Sequence, residues 1–313
     1  MRDCFKHALG ETGSSREREG KWMWVLFAFG SALFAGITAI LAKLGIEKTD
    51  SYLVTALRTV IVVLFAWIMV LVAGSFDSIT AISGKTFLFL VLSGLATGGS
   101  WICYFKALQL GDVNKVVSID KSSTILTMLF AFLFLKEGLS GIKVLAMVLI
   151  GSGTYLMLER KRKNPVSKVT NPQKSRTWLI YALFSAVFAS LTAILGKVGI
   201  TGVESNLGTA IRTLVVLIMA WLMVFGLHRQ KEIKKIERRS WIFILLSGLT
   251  TGLSWLCYYR ALQNGPAGVV VPIDKLSILV TVFFAYFVLK EKLKKKAVLG
   301  LIFIVVGTLA LLI

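Results

Sequence analysis

The sequence predicts an all-α integral membrane protein in which ten transmembrane helices form two inverted five-helix repeats. Three observations predict this fold class: ten apolar segments, a repeat at a fixed offset of 154 residues, and an odd number of segments in each copy. Of the 313 residues, 56% are hydrophobic and only 17% are charged. Because soluble domains usually carry about a quarter charged residues, this composition favours a protein of the bilayer.

The apolar segments follow one another with short polar connections, and a spanning helix needs about 20 apolar residues. We interpret each segment as one helix, at 22–42, 51–73, 86–106, 116–135, 141–158, 178–196, 205–227, 241–260, 268–289 and 297–313. The predicted organisation is a polar N-terminal tail, a first repeat, a basic linker loop with two of the four prolines, and a second repeat, at 1–21, 22–158, 159–177 and 178–313.

The internal repeat is the strongest signal in the sequence. Residues 34–71 align without a gap with 188–225, and 20 of the 38 positions are identical. Residues 93–139 align with 247–293 at the same offset, with 26 of 47 identical. Each copy contains five predicted spans, so the chain ends its first copy on the far side of the membrane. The second copy is therefore predicted to insert in the opposite direction.

The net charge of +20 is concentrated in short loops between apolar segments, which argues against nucleic acid as a partner. The loops 159–177, 228–240 and 290–296 carry seven, six and five basic residues. Ten spans place all three on one face, where they would contact the anionic lipids of the cytoplasmic leaflet. The charge distribution thus predicts a multi-pass cell-membrane protein, most simply of a prokaryotic plasma membrane, with both termini outside.

The sequence contains no arrangement typical of an enzyme active site. It has no nucleophile elbow and no phosphate-binding loop, and its two histidines are too far apart in sequence for a metal centre. Cys103 and Cys257 lie within apolar segments and are interpreted as small core residues. We therefore expect no catalytic residues, no cofactor and no metal.

Six charged residues within the apolar segments are the main candidates for substrate binding. They form three matched pairs, Arg58 with Arg212, Asp120 with Asp274, and Lys121 with Lys275. Ionisable groups at membrane depth usually face a cavity or the bundle interior. Two interpretations stay open: a site for an anionic or zwitterionic ligand, with the aspartates sensitive to protons, or structural ion pairs that hold the helices together.

Aromatic residues recur at helical spacing in TGxSWxCYxxALQ, where Trp101 and Tyr104 match Trp255 and Tyr258. This face is predicted to line a pocket, and anchoring at the membrane interface is the alternative. Glu137 and Glu291 lie at span ends, where we expect helix-end ion pairs.

Both halves resemble the EamA domain of the drug/metabolite transporter superfamily. The resemblance rests on TAILxKxGI, TAxRTxVV, SGLxTGxSWxCYxxALQ, VVxIDKxS and the terminal FLKEGL or LKEKL, and covers 22–158 and 178–313. It implies a ten-helix transporter with a central cavity lined mainly by spans 1, 3, 4, 6, 8 and 9. Ten-span members usually keep both termini in the cytoplasm, opposite to the charge distribution. Span 1 lacks the acid of multidrug-type relatives, which argues against proton-coupled export of cationic drugs.

The predicted function is a secondary transporter that moves a small metabolite, such as an amino acid or organic acid, by alternating access. The alternative is a membrane scaffold or sensor that transports nothing and uses its intramembrane charges only as structural ion pairs. The expected partners are the small-molecule substrate and membrane lipids, and formation of a homodimer stays open.

Overall fold

The structure, a computed structural model, describes residues 22–41, 50–110, 119, 122–157, 174–288 and 295–313. All regular secondary structure in these ranges is helical, and they contain no strand. The predicted site residues Asp120 and Lys121, most of the linker and Glu291 lie outside them.

Five helices of the first half lie within the described residues. They are α1 (Trp22–Leu41), α2 (Ser51–Val72), α3 (Gly84–Leu110), α4 (Ser123–Leu135) and α5 (Gly141–Met157). Helix α2 begins where the Asp50 carboxylate accepts hydrogen bonds from the backbone N–H groups of Tyr52 and Leu53, which are otherwise unpaired at a helix start. A short 3₁₀ helix, Phe76–Ile79, connects α2 to α3.

The second half follows the same order, and in the described residues its fourth segment consists of two consecutive helices. It contains α6 (Lys174–Ile200), α7 (Ser205–Gly226), α8 (Arg238–Asn264), α9 (Ala267–Lys275), α10 (Ser277–Val288) and α11 (Lys295–Ala310). Helix α6 begins inside the predicted linker. A second 3₁₀ helix, Arg229–Lys235, follows α7.

Seven helical stretches are long and apolar enough to cross a membrane. They are Trp22–Leu41, Tyr52–Val72, Gly84–Tyr104, Thr177–Ile200, Ser205–Gly226, Arg238–Asn264 and Ala267–Phe284. Ser123–Leu135 and Gly141–Leu156 are shorter apolar helices. The helical membrane class is therefore confirmed for the described residues, and the count of ten crossings stays a prediction.

Contacts between the halves come in reciprocal pairs. The hydroxyls of Ser100 and Ser185 lie 3.3 Å apart, as do those of Ser31 and Ser254, and the two pairs are related by the offset of 154 with the roles exchanged. In both pairs the serine on the third helix of its half, Ser100 on α3 or Ser254 on α8, donates to the other serine's carbonyl at 3.1 Å. Helix α3 thus packs on α6 as α8 packs on α1, which is the arrangement that a two-fold axis between the repeats produces.

Equivalent helices of the two halves run antiparallel. A Cβ on Gly153 of α5 would lie 2.5 Å from the Gly300 carbonyl oxygen of α11, and a Cβ on Gly307 would lie 3.1 Å from the Ala146 carbonyl. Residue numbers at the contacts therefore increase along α11 as they decrease along α5. Small residues allow this close approach of the two backbones. The antiparallel packing agrees with the predicted inversion of the repeats.

Two ends of the bundle are used below as landmarks. At the "Arg229 end", Arg229 Nε lies 3.7 Å from Asp50 Oδ2, which joins the loop after α7 to the start of α2. At the "Glu137 end", the end of α4 meets the turn between α8 and α9, where Glu137 contacts Ala267 and Gly268.

Candidate functional site

Arg212 lies inside the bundle with only 2% of its surface exposed. Its Nε donates to Ser93 Oγ at 3.0 Å, and its Nη2 donates to Thr97 Oγ1 at 2.6 Å. Both acceptors belong to α3 of the first half, whereas Arg212 belongs to α7 of the second. Arg212, a predicted site residue of the second repeat, thus donates its hydrogen bonds to residues of the first repeat.

Two aromatic rings of α8 cover the same guanidinium group. The Arg212 Cζ atom lies 5.1 Å from the ring centre of Trp255 and 4.7 Å from that of Tyr259. Cation–π attraction at a desolvated site contributes about 2 kcal/mol. The remaining nitrogen, Nη1, is buried and has no hydrogen-bond partner among the described residues. Because a buried charged donor without a partner costs free energy, Nη1 is the natural contact for an acceptor from a ligand.

Asp274 lies at the end of α9, where the fourth segment of the second half is interrupted. Its Oδ1 accepts a hydrogen bond from Ser31 Oγ of α1 at 2.5 Å, and Ser31 continues the chain of hydroxyls to Ser254. Helix α9 ends at the adjacent Lys275, and α10 begins at Ser277. Helix α4 begins at Ser123, the position matched to Ser277, so both halves start a new helix here. Discontinuous helices at membrane depth are typical of transporter binding sites.

Arg212 and Asp274 approach the same part of α8. Tyr258 and Tyr259 both lie within electrostatic range of the two charges, and these rings make an edge-to-face contact with centres 5.1 Å apart. Each charged residue also stands seven residues after the start of its helix at the Glu137 end. Seven residues correspond to about 10 Å of depth. The structure therefore brings together Arg212, Asp274, Trp255 and Tyr258.

Arg58, the matched arginine of the first half, lies elsewhere. It stands seven residues after the start of α2 at the Arg229 end, so in antiparallel helices of 22 residues it is about 10 Å from Arg212 along the axis. Its buried Nε has no hydrogen-bond partner among the described residues. The hydroxyls matched to Ser93 and Thr97 belong to Ser247 and Thr251, which donate instead to carbonyls of their own helix.

The aromatic residues of the first half do not join the Arg212 site. Trp101 packs with a cluster that includes Leu53 and Val224, and Tyr104 packs with Trp178 near the start of α6. Of the four residues predicted to form one shared aromatic wall, Trp255 and Tyr258 lie near Arg212, and the described geometry does not place Trp101 and Tyr104 there.

Sequence reasoning placed Thr97 on the pocket-lining face of TGxSWxCYxxALQ but missed three other polar residues of the site: Ser31, Ser93 and Tyr259. The hydroxyl groups are common in membrane helices, so their presence alone carries little information. Tyr259 replaces Phe105 of the first copy, and this difference between otherwise matched segments is a signal that was available. Among the residues described by the structure, there is no group of three or more His, Cys, Asp or Glu side chains arranged to hold a metal ion.

The fold and site define an inverted-repeat, all-helical membrane protein of the transporter class. The model of the EamA-like transporter family matches residues 22–159 and again 176–313. The chain therefore belongs to the EamA-like transporter family, and the resemblance noted from its motifs is confirmed.

This chain is similar to two proteins whose names say only that they are transporters. An uncharacterized transporter in the cobO 3' region of Sinorhizobium sp is 44% identical over 137 residues, which are 44% of this chain and 97% of that protein. The uncharacterized transporter YxxF of Bacillus subtilis (strain 168) is 25% identical over 179 residues, 55% of this chain and 54% of that protein. A crystal structure at 17% identity matches with a TM-score of 0.72 over 92% of this chain and 96% of its own, which shows the shared fold. The family and these relatives establish a membrane transporter.

Proposed function

We propose that this transporter moves a small anionic or zwitterionic metabolite, such as an amino acid or organic acid, by alternating access between its two inverted repeats. The observation that carries the proposal is the buried Nη1 of Arg212, which has no hydrogen-bond partner among the described residues. Arg212 and Asp274, the latter at the interruption between α9 and α10, lie within electrostatic range of the same two rings, Tyr258 and Tyr259. A carboxylate is the acceptor that best matches a guanidinium donor.

The charges of the site support the same class of substrate. Arg212 contributes one positive charge and Asp274 one negative charge, and we propose that Lys275, which follows Asp274 in the chain, adds a second positive charge to the site. The site would then have an excess of one positive charge in a region of low dielectric. A substrate with one net negative charge would neutralise this excess. A zwitterion would place its carboxylate at Arg212 and its ammonium group near Asp274.

In the proposed cycle the two halves rock about the site while the ten helices keep the protein in the cell membrane. The basic loops at the Arg229 end would contact the anionic lipid headgroups of one leaflet. The contacts between the halves include apolar side chains, hydroxyl pairs and glycine steps. Such contacts allow one helix pair to slide or tilt against another at low cost.

Counterflow in reconstituted vesicles tests this function. Purified protein is loaded with one unlabelled compound from a panel of amino acids and mono- and dicarboxylates, and uptake of the same labelled compound is measured. At least one anion or zwitterion is expected to exchange, whereas a scaffold or sensor gives no flux with any of them.

Matched variants separate the site from general effects. Arg212→Lys keeps the charge but loses the planar fork, and it is expected to lower exchange at least tenfold. Arg239 also lies over an aromatic ring, that of Phe243 at 5.8 Å, but outside the site, so Arg239→Lys is its control. Asp274→Asn is compared in the same way with Asp77→Asn, an exposed carboxylate. Exchange at the parent rate in both site variants contradicts the assignment.

A further inference from the structure

The Lys197 side chain donates three hydrogen bonds at the Glu137 end. Its Nζ donates to the carbonyl oxygens of Leu262, Gln263 and Gly265, the last two at 3.1 and 2.8 Å. These carbonyls belong to the C-terminal end of α8 and the residue after it, where backbone acceptors lack intrahelical partners. An ammonium group has three donors, so Lys197 has none left for a substrate. Its positive charge also lies at the negative end of the helix dipole.

The carboxylate of Glu137 makes the complementary contact a few residues further along the same turn. Its Oε1 accepts from the Ala267 N–H at 2.6 Å, and its Oε2 accepts from the Gly268 N–H at 3.0 Å. These are the first backbone donors of α9. Glu137 comes from the end of α4 in the first half, so this cap crosses between the repeats. The expected helix-end ion pair is therefore replaced by a carboxylate that caps another helix.

Together the Lys197 ammonium group and the Glu137 carboxylate bind one short turn from opposite sides. Gly265 and Pro266 connect α8 to α9, with Lys197 on the α8 side and Glu137 on the α9 side. We name the five hydrogen bonds of Lys197 and Glu137 the "turn clamp". The clamp borders a cleft of about 600 Å³ that opens at this end and includes Lys85 and Thr201 in its walls.

The clamp is mechanically linked to the site. Helix α9 begins at the clamp and carries Asp274 near its other end, seven residues later, which is about 10 Å. Its first seven residues are all buried, and they pack against α4, α6 and α8. A rigid, buried helix transmits a displacement at one end to the other.

We propose that Glu137 and Lys197 are positioning residues that close the Glu137 end by fixing the start of α9, and that their release opens the cleft towards Asp274. The inference rests on the proposed transport function, because closing one end matters only if that end opens during a cycle. Glu137 is the decisive member, since it is the contact that joins the two repeats. Neither residue touches the substrate in this assignment.

The test measures access to a native cysteine and needs no substrate. Cys257 lies half-buried on α8, three residues from Ser254, and its Sγ is 3.6 Å from the position of a Cβ on Gly30. With Cys4 and Cys103 replaced by serine, labelling of Cys257 by a membrane-impermeant thiosulfonate is measured in intact cells and in inside-out vesicles. Labelling of a Gly138→Cys variant identifies which preparation exposes the Glu137 end.

Glu137→Gln is expected to label about tenfold faster from that side. A tenfold change corresponds to about 1.4 kcal/mol, the range lost when a charged hydrogen-bond acceptor is made neutral. Glu204→Gln is the matched control, because Glu204 Oε2 also caps a helix through two N–H groups at 2.8 and 3.1 Å, but it caps its own helix α7. The control is expected to stay within twofold of the parent.

Lys197 gives a second pair of variants. Lys197→Met is expected to speed labelling as Glu137→Gln does, whereas Lys197→Arg keeps the charge and most donors and is expected to stay near the parent. Lys143 of α5 donates to the Gly138 carbonyl in the loop before its own helix at 2.6 Å, so Lys143→Met is the control.

A disulfide bond that replaces the turn clamp is expected to reverse the effect of Glu137→Gln on labelling. A Cβ on Gly268 would lie 3.8 Å from the Cβ of Ala131, which is the spacing of a disulfide. In the Glu137→Gln background, the oxidised pair Ala131→Cys and Gly268→Cys is expected to return Cys257 labelling to the parent rate, and reduction is expected to restore the fast rate.

Two results would overturn the clamp: parent-rate labelling in folded Glu137→Gln protein, or an equal increase in Glu204→Gln, which would indicate general loosening. These failures are distinct from failure of the transport function, which shows as absence of counterflow in the parent protein.

Discussion

The guanidinium carbon of Arg212 lies 4.7 Å from the ring centre of Tyr259. The Tyr259 ring is one of the largest fully buried side chains, and its hydroxyl lies beside Ser93, which also accepts from Arg212. Arginine, tyrosine and serine therefore form one contact that joins α7, α8 and α3.

Replacement of the two matched arginines by lysine is expected to have unequal effects. Arg212→Lys loses two hydrogen bonds and two ring contacts, so the free energy of unfolding is expected to fall by about 2–3 kcal/mol. Arg58→Lys removes an Nε that has no hydrogen bond among the described residues, and less than about 1 kcal/mol is expected. Thermal unfolding of the purified variants in detergent measures both, and equal losses would contradict the asymmetry.

A methyl group added at Gly196 is expected to disturb Tyr259 and Ser93, which both contact Arg212. Its Cβ would lie 2.9 Å from Tyr259 Cε1 and 3.2 Å from Ser93 Oγ. Because the ring is fully buried, Gly196→Ala is expected to destabilise by about 1–3 kcal/mol. Gly226 has no atom near the position of its Cβ, so Gly226→Ala is the control and is expected to be neutral or slightly stabilising. The thermal midpoints of the two variants check this difference.

The packing of α5 against α11 is expected to be most sensitive to substitution where the two backbones are in contact. A Cβ on Gly153 would lie 2.5 Å from the Gly300 carbonyl oxygen, which cannot move without the helix. A Cβ on Gly151 would meet only the mobile tip of Ile125 at 2.9 Å. Gly153→Ala is therefore expected to destabilise by more than about 2 kcal/mol and Gly151→Ala by less than 1. Chemical unfolding compares them, and a larger loss in Gly151→Ala would refute the packing.

The cap at Asp50 is expected to matter more than its ion pair. Asp50→Ala removes the acceptor for two N–H groups at the start of α2, for which we expect a loss of about 1 kcal/mol. Asp50→Asn keeps an acceptor and is expected to be close to the parent. Arg229 is nearly half exposed and 3.7 Å away, so solvent screens the ion pair and Arg229→Ala is expected to change stability less than Asp50→Ala does. Unfolding at low and high salt separates the two contributions.

The fold was largely predictable because the repeat preserves polar residues as well as apolar ones. The apolar segments placed the spans, and the odd number of spans in each copy predicted the inversion, with which the antiparallel packing of α5 and α11 agrees. The boundaries were less accurate: α3 and α8 continue beyond their predicted ends to Leu110 and Asn264, since polar residues at helix ends remain compatible with helix at the membrane surface.

The candidate site was predictable only in part. Arg212 and Asp274 stood out because charges are rare at membrane depth. Their partners did not, because a serine or threonine in an apolar helix more often bonds to its own backbone, as Ser247 and Thr251 do. Which of two matched arginines receives hydroxyl partners depends on how the halves are tilted, and a sequence repeat assigns the same environment to both.

The exchange of Tyr259 for Phe105 has a consequence for energetics. If the two halves were identical, a conformation with their roles interchanged would have the same free energy, and the protein would rest equally in both. One phenolic hydroxyl present in a single copy removes that degeneracy, and a hydrogen bond of about 1 kcal/mol is enough for a bias of about fivefold. For the proposed cycle, the resting direction of the transporter is thus expected to depend on a few unmatched side chains, and Tyr259→Phe is expected to make it more nearly symmetric.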